Sequence, residues 1–262
     1  MIRTVTATEY VTPLREGGSL PAIVEGDDDG TYVMKFRGAG QGPRALVAEL
    51  ISGEIARALA LPIPEIVFVE LDPRMAKTEP DPEIQDLLRK SEGLNLGLDY
   101  LPGSITFDAM VTLPLRDRER LASSIVWFDA LVTNVDRTAK NANLLVWHRD
   151  LWLIDHGATL IFHHNWNGFM EGAPKPFLRI HEHILMPWAA QIAEVDASFT
   201  PLLTREKLDA IIAMVPEEWL GDEEQFPTVA EHRAAYRDYF LRRLETPRAW
   251  VEEAVRARTI RV

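Results

Sequence analysis

The stretch Asn134-Val135-Asp136-Arg137-Thr138-Ala139-Lys140-Asn141 decides the reading of this chain, together with the segments just downstream: Leu144-Leu145-Val146-Trp147, the turn His148-Arg149-Asp150, Leu151-Trp152-Leu153-Ile154, and then Asp155-His156-Gly157. Upstream, Leu121, Ile125, Phe128, Leu131 and Val132 keep helical spacing. The order is therefore helix, polar loop, β-hairpin, and a carboxylate two residues before glycine. A five-residue spacing lets Asp136 and Asn141 converge from one loop, and the hairpin returns Asp155 to the same mouth.

An Asp-x-x-x-x-Asn spacing alone is nearly uninformative, since loop aspartates are mostly turn or cap residues. Its context changes that. One asparagine oxygen and one carboxylate are a sufficient protein contribution to a magnesium ion bridging phosphates, because magnesium prefers oxygen ligands and keeps several waters. Phosphoryl transfer from ATP adds two requirements, a lysine on the nucleotide phosphates and a carboxylate to accept the proton of the attacking hydroxyl. Lys35 stands in Tyr32-Val33-Met34-Lys35-Phe36, a strand-like run, as in strand lysines that hold ATP phosphates. A lysine on an apolar strand is costly to bury unpaired, so a carboxylate partner is expected from the following helix, about Arg44 to Ala60. Glu54 falls in its apolar stripe, and Glu49 lies on a face of small residues. A face of small residues permits close approach to a sheet, so Glu49 is possible, but periodicity alone would not choose it.

The rest of the chain supports a β-rich start and a helical end. Leu20 to Val24 and Thr31 to Phe36 flank the turn Glu25 to Gly30, Gly38 to Gly42 precedes the helix, and Ile66 to Leu71 is another strand. Residues 72–93 read as a charged surface excursion with a short helix, and Leu94 to Leu101 as a strand. Beyond Gly157, helices are expected over 181–194, 204–214, 228–245 and 247–258. Gly17-Gly18-Ser19 and Gly38 to Gly42 offer backbone N–H groups for phosphates, or are plain flexible connections.

The 262 residues are 47% hydrophobic and 26% charged, ordinary for a soluble globular chain, with no cysteine for disulfides or thiolate metal sites. The net charge of −12 argues against a nucleic-acid surface. No run is long and apolar enough for membrane insertion or export, so a cytoplasmic protein is expected.

The segments Val33 to Phe36, Ala48-Glu49-Leu50 through Leu61-Pro62-Ile63-Pro64, Leu98-Asp99-Tyr100-Leu101, Asn134 to Asn141 and Ile154 to Gly157 resemble the HipA-like kinases, bacterial enzymes related in fold to protein and phosphatidylinositol kinases. The resemblance implies an α+β, two-lobed kinase-like fold: an N-lobe over 1–101 with one long helix, and a larger, mainly helical C-lobe over 102–262. It implies ATP and Mg²⁺ as cofactors, Lys35 as the phosphate lysine, Glu49 as its partner, Asp136 as catalytic base, and Asn141 and Asp155 as metal ligands. Asp99, Tyr100 and Leu101 become the hinge that bonds adenine, with Gly17, Gly18 and Ser19 beside the phosphates. The acceptor is expected to be a protein serine or threonine, or a small-molecule hydroxyl. Two features depart from the family: Thr138 stands where a histidine is common, and Asp136-Arg137 is similar to the phosphatidylinositol-kinase loop. Thr138 supports an alternative, a nucleotide-binding pseudokinase that regulates a partner. A third reading, a metal-dependent hydrolase, would rest on His148, His156, His163, His164, His181 and His183, though no H-E-x-x-H is present.

Overall fold

The structure, a computed structural model, describes residues 2–14, 20–40, 42–77, 79–109, 117–221 and 223–260. Gly17, Gly18, Ser19 and Gln41 lie outside the described residues.

Five strands, β1 (Thr4–Pro13), β2 (Ala22–Gly26), β3 (Thr31–Lys35), β4 (Ile66–Leu71) and β5 (Gly93–Asp99), form a closed barrel in the order β1-β2-β3-β5-β4. Parallel pairing of β1 with β4, Val5 opposite Val69, closes it and removes the exposed edges that an open sheet would present. Alternation puts Val5 and Ala7, Ala22 and Val24, Tyr32 and Met34, and Val67 and Val69 into a core of the barrel's own. Gly97 lets β5 pass this packing, because a Cβ there would sit 2.6 Å from Val69 Cγ2. β1 was not anticipated: its inward residues are small and its other positions are mostly Thr and Glu, so its alternation is faint.

Residues 72–93 are more than a surface excursion. A 3₁₀ turn at Pro73–Lys77 and helix α2 (Pro82–Lys90), taken in order after α1 (Pro43–Ala58), add Ala76, Ile84, Leu87 and Leu88 to the barrel core. Asp81 caps α2 by accepting from the Glu83 N–H.

The second part is mainly helical: α3 (Arg118–Leu131), α4 (Phe169–Gly172), α5 (Ile192–Phe199), α6 (Arg205–Ile212), α7 (Val229–Leu244) and α8 (Ala249–Ile260). A small sheet of β6 (Ile105–Thr106), β7 (Leu144–Trp147) and β8 (Asp150–Leu153) carries the expected hairpin, with β6 added at its edge. Residues of α1 share one core with α3 and the helices beyond it. The α3 C-terminus, which feeds the Asn134–Asn141 loop, is fixed by the buried Arg243 of α7. This guanidinium donates to the Leu131 and Ala130 carbonyls at 2.9 and 2.6 Å, satisfying groups a helix end leaves orphaned.

The helix expected over 181–194 does not form. Pro187 cannot donate within a helix, and the chain instead makes 3₁₀ turns at Leu178–Glu182 and Met186–Trp188 before α5. Between them His183 pairs with Thr138 in an isolated antiparallel bridge, so the backbone there serves the loop. Among the described residues no helix is long and apolar enough to cross a membrane.

Candidate active site

Lys35 ends β3, where its main chain pairs opposite Leu96 and its side chain turns toward α1. Its Nζ donates to Glu49 Oε2 at 2.6 Å and to Asp155 Oδ1 at 2.5 Å. Glu49 is fully buried, and Asp155 keeps 44% of its side chain exposed toward solvent. Burial alone would lower the Lys35 ammonium; the carboxylates of Glu49 and Asp155 overcome it and hold it above its ordinary value. For Glu49 burial acts upward, and Lys35 with His156 holds it well below the usual carboxylate range. His156 Nδ1 stands 3.3 Å from Glu49 Oε1, joining the Asp155–Gly157 turn to the same helix residue.

The structure thus pairs Lys35 with Glu49. Glu54 lies five positions on and bonds Arg57 one turn along its own helix, at 3.1 Å. The periodicity of α1 could not separate the two, since every residue from Leu46 to Ala56 is buried and the helix has no solvent face to set a phase.

Asp136 is held by two asparagines. Asn141 and Asn143 donate to its Oδ2 at 2.8 and 3.0 Å, and its backbone N–H donates to Asn134 Oδ1 at 3.0 Å. A carboxylate only accepts, so both amide nitrogens must point at Asp136. The Asn141 carbonyl oxygen is then directed away from it. Asp155 adopts a left-handed φ of 57° at the end of the hairpin. Asn143 was missed from the sequence, although an asparagine two positions after Asn141 in a short loop was a visible signal.

Lys35, Asn141, Asn143 and Asp155 line one cleft of about 660 Å³, whose apolar walls include Val33, Leu98, Leu144 and Ile154. Asp99, Tyr100 and Leu101 border it, as do Leu14 and Pro21 on either side of the undescribed 15–19. The expected hinge is partly committed to the barrel: the N–H of Asp99 donates to Glu65 O at 2.8 Å and that of Tyr100 to Thr31 O at 3.0 Å. Burial, then the neighbouring Glu65, raises the Asp99 carboxyl. Among the described residues of the glycine segment, Gly38, Ala39, Gly40 and Gly42 do not line this cleft; the Gly38 N–H donates to Ser91 Oγ at 3.1 Å, and Arg37 and Arg44 on the flanks bond Glu218 and Glu223.

The histidines are dispersed. His148 sits on the hairpin turn, His163 bonds the Tyr236 hydroxyl at 3.0 Å, His181 is exposed, and His183 bonds Asp129 beside the Asn134–Asn141 loop. Among the described residues no three His, Cys, Asp or Glu side chains converge as a metal-binding group, so a multi-histidine hydrolase centre has no ligand set here.

No curated protein matches the chain. A crystal structure of a Helicobacter pylori proinflammatory kinase, CtkA, superposes with a TM-score of 0.57 over 99% of both chains, at 11% identity, which shows a shared fold. Two structures of the Golgi casein kinase, one with Mn and ADP bound, are looser matches at TM-scores of 0.46 and 0.47 and 11% identity, over 98% of this chain and 73% and 72% of theirs. The sequence profile of the HipA-like kinases matches residues 7–253, nearly the whole chain, and the protein therefore belongs to the HipA-like kinase family of phosphotransferases.

Proposed function

We propose that the cleft binds ATP with a divalent cation, magnesium in the cell, and that the enzyme moves the γ-phosphoryl group to an alcohol hydroxyl of a protein or small molecule. The observation carrying this reading is the Lys35 ammonium, poised between buried Glu49 and cleft-facing Asp155. Glu49 fixes the ammonium from behind, so Lys35 can meet the nucleotide phosphates without being drawn out of place. Its attraction for Asp155 is the one that bound phosphates and metal would share.

Asn141 and Asp155 fit a hard cation. Both line the cleft, one offers a carboxylate, and the other has its amide oxygen turned away from Asp136. Bound there, the ion would neutralise charge on the phosphates. Asp136 accepts the proton of the attacking hydroxyl. Both asparagine bonds fall on Oδ2, which orients the carboxylate and presents Oδ1 to the acceptor. The base is read by the Asp99 carbonyl and the Leu101 N–H, because the Asp99 and Tyr100 N–H groups are engaged within the barrel. Lys35, Asn141 and Asp155 line one cleft, and Asn141 and Asn143 of that cleft both donate to Asp136, a set that supports an active enzyme over a pseudokinase.

The test is ADP formation from ATP with magnesium, with and without candidate hydroxyl acceptors and with the protein itself as acceptor. Phosphoester on serine, threonine or a small alcohol is expected. Binding of ATP with no transfer to any hydroxyl, water included, would support the pseudokinase reading instead.

A further inference from the structure

Asp129, on the last turn of α3, is fully buried and belongs to none of the roles above. Its Oδ1 accepts from Asn134 Nδ2 at 2.8 Å, and Asn134 in turn accepts the Asp136 N–H. Its Oδ2 accepts from Arg137 Nε at 2.6 Å and from His183 Nε2 at 2.8 Å. Arg137, also buried, passes the connection on to the Asn143 carbonyl and, at 3.4 Å, to the Ile154 carbonyl beside Asp155. One carboxylate thus anchors the base, the asparagine that orients it, and the metal-binding turn.

His183 is the member supplied from the far side of the metal-binding turn. Its Nδ1 accepts the Leu185 N–H at 3.0 Å, so the ring proton must be on Nε2, the atom that donates to Asp129. Alongside it, the Ile184 N–H donates to the Arg137 carbonyl at 3.2 Å. Kinase segments in this place are commonly ordered by a phosphate on a hydroxyl side chain. Here residues 160–197 contain no Ser, Thr or Tyr, and Thr159 is fully buried against Ser52.

We infer that His183 is a positioning residue for phosphoryl transfer: through its bond to Asp129 it fastens segment 178–188 permanently to the catalytic loop, doing with an imidazole what phosphorylation of that segment cannot do. The inference rests on the proposed role of Asp136, and two independent readouts separate its failure from that of the role. Gln at 183 can place an amide N–H near the Nε2 position, whereas Asn can replace only the Nδ1 acceptor.

The experiment compares His183→Ala, His183→Gln and His183→Asn in the full chain, with the exposed His181→Ala as control. The first readout is amide hydrogen exchange without nucleotide over 134–143 and 177–187. The second is ADP release from ATP with magnesium, resolved into kcat and KM. Misplacement of reacting groups by about 1 Å costs on the order of 10²-fold in rate. His183→Ala and His183→Asn should therefore lose about 10²-fold in kcat with KM for ATP little changed, and exchange faster in both segments. His183→Gln should restore most of both, and His181→Ala should match wild type. Faster exchange confined to 177–187, or rescue by Asn and not Gln, would overturn the inference, since His183 would then only close its own turn. Wild-type protein that released no ADP would remove the proposed role of Asp136, and the exchange pattern would still decide whether His183 clamps the loop. If His183→Ala does not fold, the Gln and Asn variants carry the comparison.

Discussion

Replacing Glu49 by Gln should be costly, and the same change at Glu54, five positions along α1, should not. Glu49 is fully buried with Lys35 Nζ at 2.6 Å. Breaking a buried pair by removing one partner typically costs about 3–5 kcal/mol, because a charge is left uncompensated. Lys35 keeps Asp155, and Gln preserves volume and one acceptor oxygen, so about 2–3 kcal/mol is the better figure for this site. For a chain of this size that lowers Tm by roughly 4–12 °C. Glu54 loses only its bond to Arg57 one turn away, a pair worth about 0.2–0.5 kcal/mol, and this is offset by relief of a carboxyl that burial already disfavours as a charge. The pH dependences oppose each other as well. The Glu49 pKa is depressed on folding from 4.5, so its contribution is full above that pH and is lost on acidification. The Glu54 pKa is raised on folding, so its contribution is present at low pH and lost as pH rises. Thermal unfolding of both variants without nucleotide, at pH 7 and at stepwise lower pH, measures this directly. Equal Tm values for the two variants at pH 7, or a greater loss at Glu54, would refute the assignment of Glu49 as the buried partner.

The same geometry carries three more expectations. ATP with magnesium at 100-fold over its Kd should stabilise the protein by about 2.7 kcal/mol, read as a rise in Tm. Asp155→Asn should remove most of the magnesium-dependent part of that rise, whereas a rise equal to wild type would take Asp155 out of the metal site. Gly97→Ala should cost about 1–3 kcal/mol by overpacking Val67 and Val69 in the barrel, and denaturant unfolding with an unchanged midpoint would contradict the described packing.

The Asn134–Asn141 loop, the hairpin and the Asp155–Gly157 turn were legible as local structure because their signals are local: polar residues at fixed spacing, bounded by strand-like runs. The barrel strands β2 to β5 were legible for the same reason. Elements whose identity depends on distant partners were not. The two-residue β6 exists only by pairing with β7. α2 has the one-sided spacing of Ile84, Leu87 and Leu88, yet nothing local shows that this face enters the barrel core. His183 and Asp129 meet across 54 positions; His183 stood out only as a candidate metal ligand, and Asp129 lies in no motif that would have singled it out. The choice between Glu49 and Glu54 failed on periodicity for a physical reason: a helix buried on all sides carries no amphipathic phase. The resemblance, not the pattern, favoured Glu49.

The central claim is that Asp136 is the proton acceptor of a nucleotide-dependent phosphoryl transfer. Asp136→Asn keeps the size of the side chain while removing the base, and a general base contributes about 10²–10⁴-fold in rate. The most direct measurement is therefore ATP turnover in magnesium beside ATP affinity, for wild type and Asp136→Asn. The account predicts that turnover falls by about 10²–10⁴-fold with affinity nearly unchanged. Full turnover in Asp136→Asn would contradict it.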